Sequence, residues 1–288
     1  MTLRNHDDED ARRAYWAEQM ELGYALVEKL IAMPIDECGE RFASIPAAAK
    51  AAGVEMRFSV SKIAGELDRV FFIRQSLVQQ LVAIGREMNE RGWILRIEDA
   101  FRSLEMQRQL GRRPDLFDAI LQKCLWECGG VTPSPEFVSR RAIVLIANIP
   151  KIGTHMSGSA VDVSVLRRAD GSEVWRGKPY LEMSEYTPMR SPFVDSDALR
   201  NRLEIAAIME AHGFQHFPFE FWHFSQGDAI DHVLRGNPQP ARFGPVAWDP
   251  LTNRVTPCED PLRLLNPMST LEEEIAAALR RCLKGTPA

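Results

Sequence analysis

The feature that most constrains the fold is the alternation between residues 160 and 166. Ala160–Leu166 reads Ala-Val-Asp-Val-Ser-Val-Leu, so valine alternates with small or polar residues. Because successive side chains of a strand point to opposite faces, this period predicts a β-strand. The carboxylate of Asp162 then lies on the face opposite the valines, where it faces either a functional site or solvent.

Other segments indicate helices and short strands on both sides of this strand. Apolar residues recur at three-to-four spacing in the predicted helices Asp10–Met33, Phe71–Arg91 and Asp197–His212. Trp93–Glu98 and the aromatic segment Phe219–Phe224 are predicted strands. Further predictions are an extended segment at Met56–Val60, a helix at Pro114–Glu127, a segment at Pro135–Ile146 that suits either helix or strand, and a last helix from the capping box at Ser269–Glu272 to near Gly285.

Composition and charge exclude several classes of protein. Of the 288 residues, 45% are hydrophobic and 26% charged, which is typical of a globular chain and excludes a disordered or fibrous one. The net charge of −5 argues against a nucleic-acid-binding surface, which is normally basic. The acidic start, Met1–Asp10, does not resemble a secretory signal, and no apolar run is long enough to span a membrane. We therefore expect a cytoplasmic protein that binds neither nucleic acid nor membrane.

The segment His155-Met-Ser-Gly-Ser-Ala-Val-Asp162 carries the first candidate functional residues. It places an imidazole on a loop and a carboxylate on the strand that follows. Gly158 permits a tight backbone turn between them, and Ala160 adds no bulk. Taken singly, each residue has an ordinary interpretation, since His155 also fits a loop histidine without a role and Asp162 a solvated strand residue.

The segment Glu220-Phe-Trp-His223 carries the second group. In an ideal strand, residues three apart point to opposite faces, so a shared site requires a twist, a bulge or a strand end between Glu220 and His223. Aromatic neighbours lower the local polarity, which raises the pKa of a carboxyl group and suits it to general-base work. The alternative is an edge strand with Glu220 exposed and His223 in the core.

Together the two segments offer the donors of a catalytic zinc site. Such a site uses three nitrogen or oxygen ligands and keeps one coordination position open, with a base beside it. His155, Asp162 and His223 are the predicted ligands of one Zn²⁺ per chain, and Glu220 is the predicted base.

Arg102 is a further candidate, at the end of the predicted strand Trp93–Glu98. A planar guanidinium at this place is suited to bind a carboxylate or a developing oxyanion. Asp99 is near enough in sequence to hold the guanidinium in place. The commoner interpretation of one arginine at a strand end is a surface ion pair.

These residues, in this order, resemble the zinc D,D-peptidases that share a fold with the hedgehog signalling domain, most of all the D-alanyl-D-alanine dipeptidases. The likeness rests on an arginine after a strand, then His-x-x-Gly-x-Ala-x-Asp, then Glu-x-Trp-His, and covers roughly residues 55 to 230. The resemblance implies an α+β fold with a small, mostly antiparallel central sheet and flanking helices.

The resemblance also implies an activity, the zinc-dependent hydrolysis of a D-amino-acid dipeptide such as D-Ala-D-Ala. Glu220 would deprotonate the attacking water, and Arg102 would stabilise the tetrahedral oxyanion. Two alternatives stay open. One is a D,D- or L,D-carboxypeptidase or endopeptidase that acts on muropeptides; the other is a non-catalytic module that binds zinc or peptide.

The chain departs from the dipeptidase pattern at several positions. It has Phe-Arg-Ser at 101–103 where dipeptidases have Tyr-Arg-Pro, and the Arg–Ser pair with Gln107 is more similar to the D,D-carboxypeptidases. An acidic residue that binds the substrate ammonium group is expected near residues 183–188, with Glu182 and Glu185 as weak matches. These departures leave the choice between dipeptide and longer peptide open.

The length exceeds that of the resembling core, which predicts three parts. Residues 1–54 are a helical N-terminal extension, 55–235 the peptidase core, and 236–288 a Pro-rich C-terminal extension with a terminal helix. We expect the extensions to pack onto the core or to mediate self-association. The expected partner of the core is a small peptide substrate.

Overall fold

A computed structural model describes residues 5–284 of the chain. The helices and strands alternate irregularly along the sequence. In chain order they are α1 (Asn5–Ala32), β1 (Phe42–Ser44), α2 (Ile45–Ala51), β2 (Met56–Phe58), β3 (Phe72–Arg74), α3 (Val78–Glu90), β4 (Trp93–Asp99), α4 (Leu104–Leu110), α5 (Pro114–Glu127), α6 (Pro135–Leu145), two 3₁₀ turns (Pro150–Ile152 and Thr154–Ser157), β5 (Ala160–Arg167), α7 (Ser196–Ala211), β6 (Gln215–His216), β7 (His223–Ser225), α8 (Ala229–Leu234), β8 (Val246–Asp249), β9 (Arg254–Pro257) and α9 (Met268–Lys284).

A five-stranded sheet with the order β2-β4-β5-β7-β6 forms the centre of the fold. Only β2 and β4 run parallel, and the other neighbours are antiparallel. Two small antiparallel pairs, β1 with β3 and β8 with β9, lie outside this sheet. The predicted α+β class, with a small and mostly antiparallel sheet flanked by helices, is confirmed.

The main hydrophobic core joins β5 to the helices α3 and α7. All three valines of the predicted alternation are fully buried, and they share one cluster with Leu81 of α3 and Met209 of α7. Burial of this face stabilises the sheet against the helices because it removes large apolar side chains from water. It leaves the opposite face of β5, which carries Asp162, for other contacts.

The two terminal helices pack against the helix pair α5 and α6. Trp16 and Met20 of α1 are buried, and Ile275 of α9 shares a cluster with Phe117 of α5. The division into 1–54, 55–235 and 236–288 stays a prediction, and so does self-association. Within residues 5–284, no helix is both long and apolar enough to cross a membrane.

The structure corrects three secondary-structure predictions and resolves a fourth. The helix predicted to begin at Phe71 begins at Val78, because Phe72–Arg74 forms β3 and pairs with Phe42–Ser44. The strand predicted over Phe219–Phe224 begins only at His223. Residues 135–145, left open between helix and strand, are helical. The last helix begins at Met268, ahead of the predicted cap, and its predicted end at Gly285 lies outside the described residues.

Candidate metal centre

The register of three neighbouring strands places the first residues of the site side by side. Asp162 of β5 is opposite His223 of β7 and opposite Asp99 at the end of β4. The pairing of β4 with β5 shifts by one residue after Ile97, which is a β-bulge. Bulges re-aim side chains next to functional sites. Here the bulge brings Asp99, rather than Glu98, opposite Asp162.

Asp162 is the central residue of the site, and its side chain is only 2% exposed. Its Oδ1 lies 2.9 Å from Nδ1 of His223 and 3.2 Å from Nε2 of His155. The two imidazole rings meet edge to face, with their centres 4.9 Å apart. The structure therefore brings all three predicted ligands together, and their ligand atoms lie within 4.8 Å of one another.

His155 is held by the 3₁₀ turn Thr154–Ser157 that precedes β5. Its Nδ1 lies 2.6 Å from the carbonyl oxygen of Ala100, which fixes Nδ1 as the donor and leaves Nε2 to face Asp162. Gly158 ends the turn at φ +69°, and a Cβ there would come within 2.1 Å of the Phe42 ring. The turn thus requires a glycine at 158 both for its backbone conformation and for space.

His223 lies at the start of β7 and is oriented by Thr154, which the sequence did not single out. Its Nε2 lies 2.9 Å from the Thr154 hydroxyl, and its Nδ1 faces Asp162. Each imidazole therefore has one nitrogen held by an outer partner and one directed at the same carboxylate. Outer hydrogen bonds of this kind set the tautomer and the ring orientation of metal-binding histidines.

The protonation states also suit metal binding. Burial lowers the pKa of His155, and the nearby Arg102 lowers it further, which favours the neutral imidazole. Burial alone would raise the pKa of Asp162, but the two histidines hold it well below its ordinary value. Burial also opposes protonation of His223, yet the hydrogen bond to Asp162 raises its pKa. A bound cation would replace that proton, since metal ligands bind in deprotonated form.

Arg102 lies beside the three residues and is held by several partners. Its Nε is 2.6 Å from Asp99 Oδ2, its Nη1 3.2 Å from Gln107, and its Nη2 3.4 Å from Asp162 Oδ2. Burial would lower its pKa, but the carboxylates of Asp99 and Asp162 raise it. The guanidinium is therefore charged and oriented by Asp99, the partner expected from the sequence. Arg69 also reaches Asp99 Oδ2, at 3.1 Å.

Glu220 lies in a turn rather than in a strand. The N–H of Glu220 donates to the carbonyl of Phe217, and the N–H of His223 donates to the carbonyl of Glu220. A strand end thus lies between the two residues, which removes the conflict with strand periodicity. Burial raises the pKa of Glu220, and the Asp162 carboxylate adds to this, against the lowering effects of His223 and Arg102. A carboxyl group with a raised pKa is suited to general-base work.

Tyr180 also belongs to the site and was missed from the sequence. Its hydroxyl donates to Asp162 Oδ2 at 2.9 Å, and its ring meets Trp222 edge to face at 5.6 Å. Tyr180 lies in the loop-rich segment after β5, where no periodicity marks it. Its residue type is the only signal in the sequence, since tyrosine is rare in this chain, with four in all.

Glu182 and Glu185, the weak matches for an ammonium-binding residue, are both engaged elsewhere. The Glu185 side chain is 0% exposed; its oxygens bind Arg12 of α1 and, at 2.7 Å, Lys123 of α5. Burial would raise the pKa of Glu185, but the Lys123 hydrogen bond and the nearby charges lower it. Glu182 accepts a hydrogen bond from Ser184 at 2.5 Å. Glu185 therefore links the N-terminal helix α1 to the loop that carries Tyr180.

We expect Glu185→Ala to lower the free energy of unfolding by about 1–3 kcal/mol, because it removes the hydrogen bonds of a buried carboxylate to Arg12 and Lys123, which are themselves partly exposed to water. The lowered pKa means that this stabilisation is present above the ordinary carboxyl pKa and is lost as the pH falls through the lowered value. Urea unfolding at pH 7 and at acidic pH measures both effects. Arg200→Ala, which removes the exposed pair with Asp197, should cost less than about 1 kcal/mol. Equal losses in the two variants would contradict the structural role of Glu185.

The donor set fits a zinc ion. Ligand atoms at about 2.0–2.2 Å from a tetrahedral zinc lie ~3.4 Å from one another. The two His–Asp separations of 2.9 and 3.2 Å are close to this spacing. The ligand atoms of the whole set lie within 4.8 Å of one another, so the widest separation must shorten when a metal binds. Two imidazoles and one carboxylate are also ligands that zinc accepts, and a three-residue set keeps a fourth position open.

Fold and site together define the class: a mixed α+β protein with a buried His–Asp–His centre of the type used by metal-dependent hydrolases. Residues 120–240 match the peptidase M15 family model, described as D-ala-D-ala dipeptidase. The match includes His155, Asp162, Glu220 and His223, while Arg102 lies before it. It confirms the resemblance to the D,D-peptidases predicted from the motifs.

Two dipeptidases are also similar to this chain in sequence. The chain is 28% identical over 137 residues to D-alanyl-D-alanine dipeptidase of Escherichia coli (strain K12), covering 46% of this chain and 65% of that protein. It is 26% identical over 106 residues to the enzyme of that name from Enterococcus faecium, covering 37% and 48%. The chain thus spans about half to two thirds of the length of these relatives. A solved structure of the LdcB LD-carboxypeptidase aligns with a TM-score of 0.35 at 17% identity, over 66% of this chain and 73% of that one.

Proposed function

We propose that this chain is a zinc-dependent peptidase that hydrolyses D-Ala-D-Ala or a related peptide of peptidoglycan. The single observation that carries the proposal is the convergence of His155, Asp162 and His223 within 4.8 Å. Glu220 and Arg102 provide a base and a cation beside them. The family match and the two dipeptidase relatives support the substrate class.

Zinc, when bound by these three residues, would act as a Lewis acid on the scissile carbonyl and lower the pKa of a water molecule. Glu220 accepts a proton from the attacking water and later donates it to the leaving amine. Its raised pKa favours both steps, because the group then gains and loses a proton nearer neutral pH.

Arg102 stabilises the negative charge that develops on the carbonyl oxygen. A guanidinium has five N–H donors. Three of its nitrogens contact Asp99, Gln107 and Asp162, and the contact with Asp162 is long at 3.4 Å. Donors remain for the substrate, and the bond to Asp99 holds the charge in a fixed orientation before the reaction begins.

A carboxypeptidase or endopeptidase acting on a longer peptide is the second candidate, and the position of Glu185 favours it. A free dipeptide carries an ammonium group close to the scissile bond, and an acidic side chain would be its natural partner. Glu185 is buried in its ion pairs with Arg12 and Lys123, and Glu182 is bonded to Ser184. The Glu185 carboxylate is therefore not free to bind an ammonium group in this arrangement.

The test combines metal content with a substrate panel. The purified protein, loaded with zinc and desalted, should contain about one zinc per chain by elemental analysis. The loaded protein is then assayed on D,D-, L,D- and L,L-dipeptides, on the same D,D-dipeptide with its amine acetylated, and on one muropeptide. Release of D-alanine from a D,D-substrate supports the proposal, and faster cleavage of the acetylated form or the muropeptide supports the second candidate.

Two results would overturn the proposal. Absence of bound zinc would remove the metal site. Stoichiometric zinc without cleavage of any peptide would identify a non-catalytic zinc- or peptide-binding module. We also propose that the protein is cytoplasmic and that its partner is a small peptide substrate.

A further inference from the structure

The two oxygens of Asp162 have different partners. Oδ1 faces the nitrogens of His155 and His223, at 3.2 and 2.9 Å. Oδ2 faces the other way, toward the hydroxyl of Tyr180 at 2.9 Å and Nη2 of Arg102 at 3.4 Å. One oxygen is thus directed at the predicted metal position, and the other is held by hydrogen-bond donors.

This division affects how the carboxylate binds a metal. A carboxylate binds through one oxygen or through both, and the second oxygen occupies coordination space that water and substrate need in a catalytic site. Each carboxylate oxygen has about two lone-pair positions. The two donors at Oδ2 use these positions and turn that oxygen away from the histidines.

Of the two donors, Tyr180 makes the stronger contact. A separation of 2.9 Å is a normal hydrogen bond from a hydroxyl group, whereas 3.4 Å is near the outer limit. Arg102 is also shared with Asp99 and Gln107. The hold on Oδ2 therefore depends mainly on the Tyr180 hydroxyl.

The surrounding loop keeps Tyr180 in this place. Pro179–Glu182 is a tight turn in which the N–H of Glu182 donates to the carbonyl of Pro179. Leu181 adopts φ +67° in the turn, a conformation that is unfavourable for a residue with a side chain and persists only where its surroundings impose it. The buried Arg176 connects the loop to β5 through the carbonyl of Val163, at 2.8 Å. The Tyr180 ring also packs edge to face on Trp222.

We propose that Tyr180 is a positioning residue that keeps Asp162 a one-oxygen metal ligand and so preserves an open coordination position. The inference rests on the proposed metal site and goes beyond it, because it assigns the coordination mode to a residue outside the ligand set. Without the hydroxyl, Oδ2 is free to turn toward the metal and raise the coordination number.

The test uses Co²⁺ in place of zinc, because its visible absorption weakens as the coordination number rises. We expect Tyr180→Phe to take up one Co²⁺ with clearly weaker visible absorption than the unaltered protein. Competition with a chromophoric chelator should also show that the zinc affinity of the variant is lowered by about 10- to 100-fold. Tyr186→Phe is the matched control, since Tyr186 lies on the same loop with its ring against Arg12 and Lys178. It should leave the spectrum and the affinity unchanged.

The outcomes separate this inference from the proposed function. If the unaltered protein binds one Co²⁺ and Tyr180→Phe has the same spectrum and zinc affinity, the role of Tyr180 is refuted while the metal site stands. If the unaltered protein binds no Co²⁺, the metal site itself fails, and the role of Tyr180 with it. A thermal melt of the metal-free variants checks that both remain folded, and Tyr180→Leu, which also lacks the hydroxyl, should reproduce the spectral change.

Discussion

Glu220→Gln should lower kcat by about 100- to 10,000-fold while the protein keeps its zinc. Glutamine has nearly the same shape as glutamate, but it cannot accept a proton from the attacking water. In the unaltered protein, Glu220 acts as a base in its deprotonated form. Its kcat/KM should therefore fall as the pH falls through the pKa of Glu220. Burial raises that pKa, so the acid limb should lie above the pH at which an ordinary carboxyl group titrates.

Steady-state rates on the best substrate of the peptide panel, measured across pH, test both parts of this prediction. Glu204→Gln is a suitable control, because Glu204 is an acidic residue of α7 paired with Arg91 on the surface. The control should keep the kcat and the pH profile of the unaltered protein. A Glu220→Gln variant that hydrolyses peptides at the full rate would show that Glu220 is not the base.

His155→Ala should remove more zinc affinity than the roughly 10- to 100-fold typical of losing an outer hydrogen-bond partner. The variant loses one of three protein ligands and leaves the Asp162 carboxylate without one of its two imidazole neighbours. Chelator competition followed by elemental analysis measures the change. Activity should fall in parallel, since the variant holds little zinc at equilibrium.

His212→Ala is the matched control for this experiment. His212 is a partly exposed histidine that bonds Glu87 at 2.9 Å, at the end of α7. Its removal should leave one zinc per chain and the full affinity. One tightly bound zinc in His155→Ala would contradict the assignment of His155 as a ligand.

Segments with a long, regular period were predictable from local sequence. The predicted strand at 160–166 and the predicted helix at 197–212 match the observed β5 and α7 within one residue at each end. The N-terminal helix was also predicted, but α1 begins at Asn5 rather than at Asp10. Phe72–Arg74 was assigned to a helix because its apolar residues continue the helical stripe that leads to Leu77. Three residues are too few to show a period, and this strand exists because it pairs with Phe42–Ser44, some thirty positions earlier.

The candidate site, like the fold, was only partly predictable from local sequence. His155, Asp162, Glu220 and His223 could be chosen from the sequence because their chemistry and spacing form two short motifs. That they meet depends on the register of β5 with β7 and on the turn before His223. Neither is encoded in local spacing, because strand pairing is decided by the packing of distant segments.

Sequence alone thus determined the kind of chemistry this chain carries, since residue types set the donors, the base and the cation. The tertiary structure alone decided the partners of those groups. It assigned Thr154 to His223, Tyr180 to Asp162, and Glu185 to Arg12 and Lys123 rather than to a substrate. The physical reason is that hydrogen bonds and ion pairs act over a few ångströms in space, between residues that the fold brings together from distant parts of the chain.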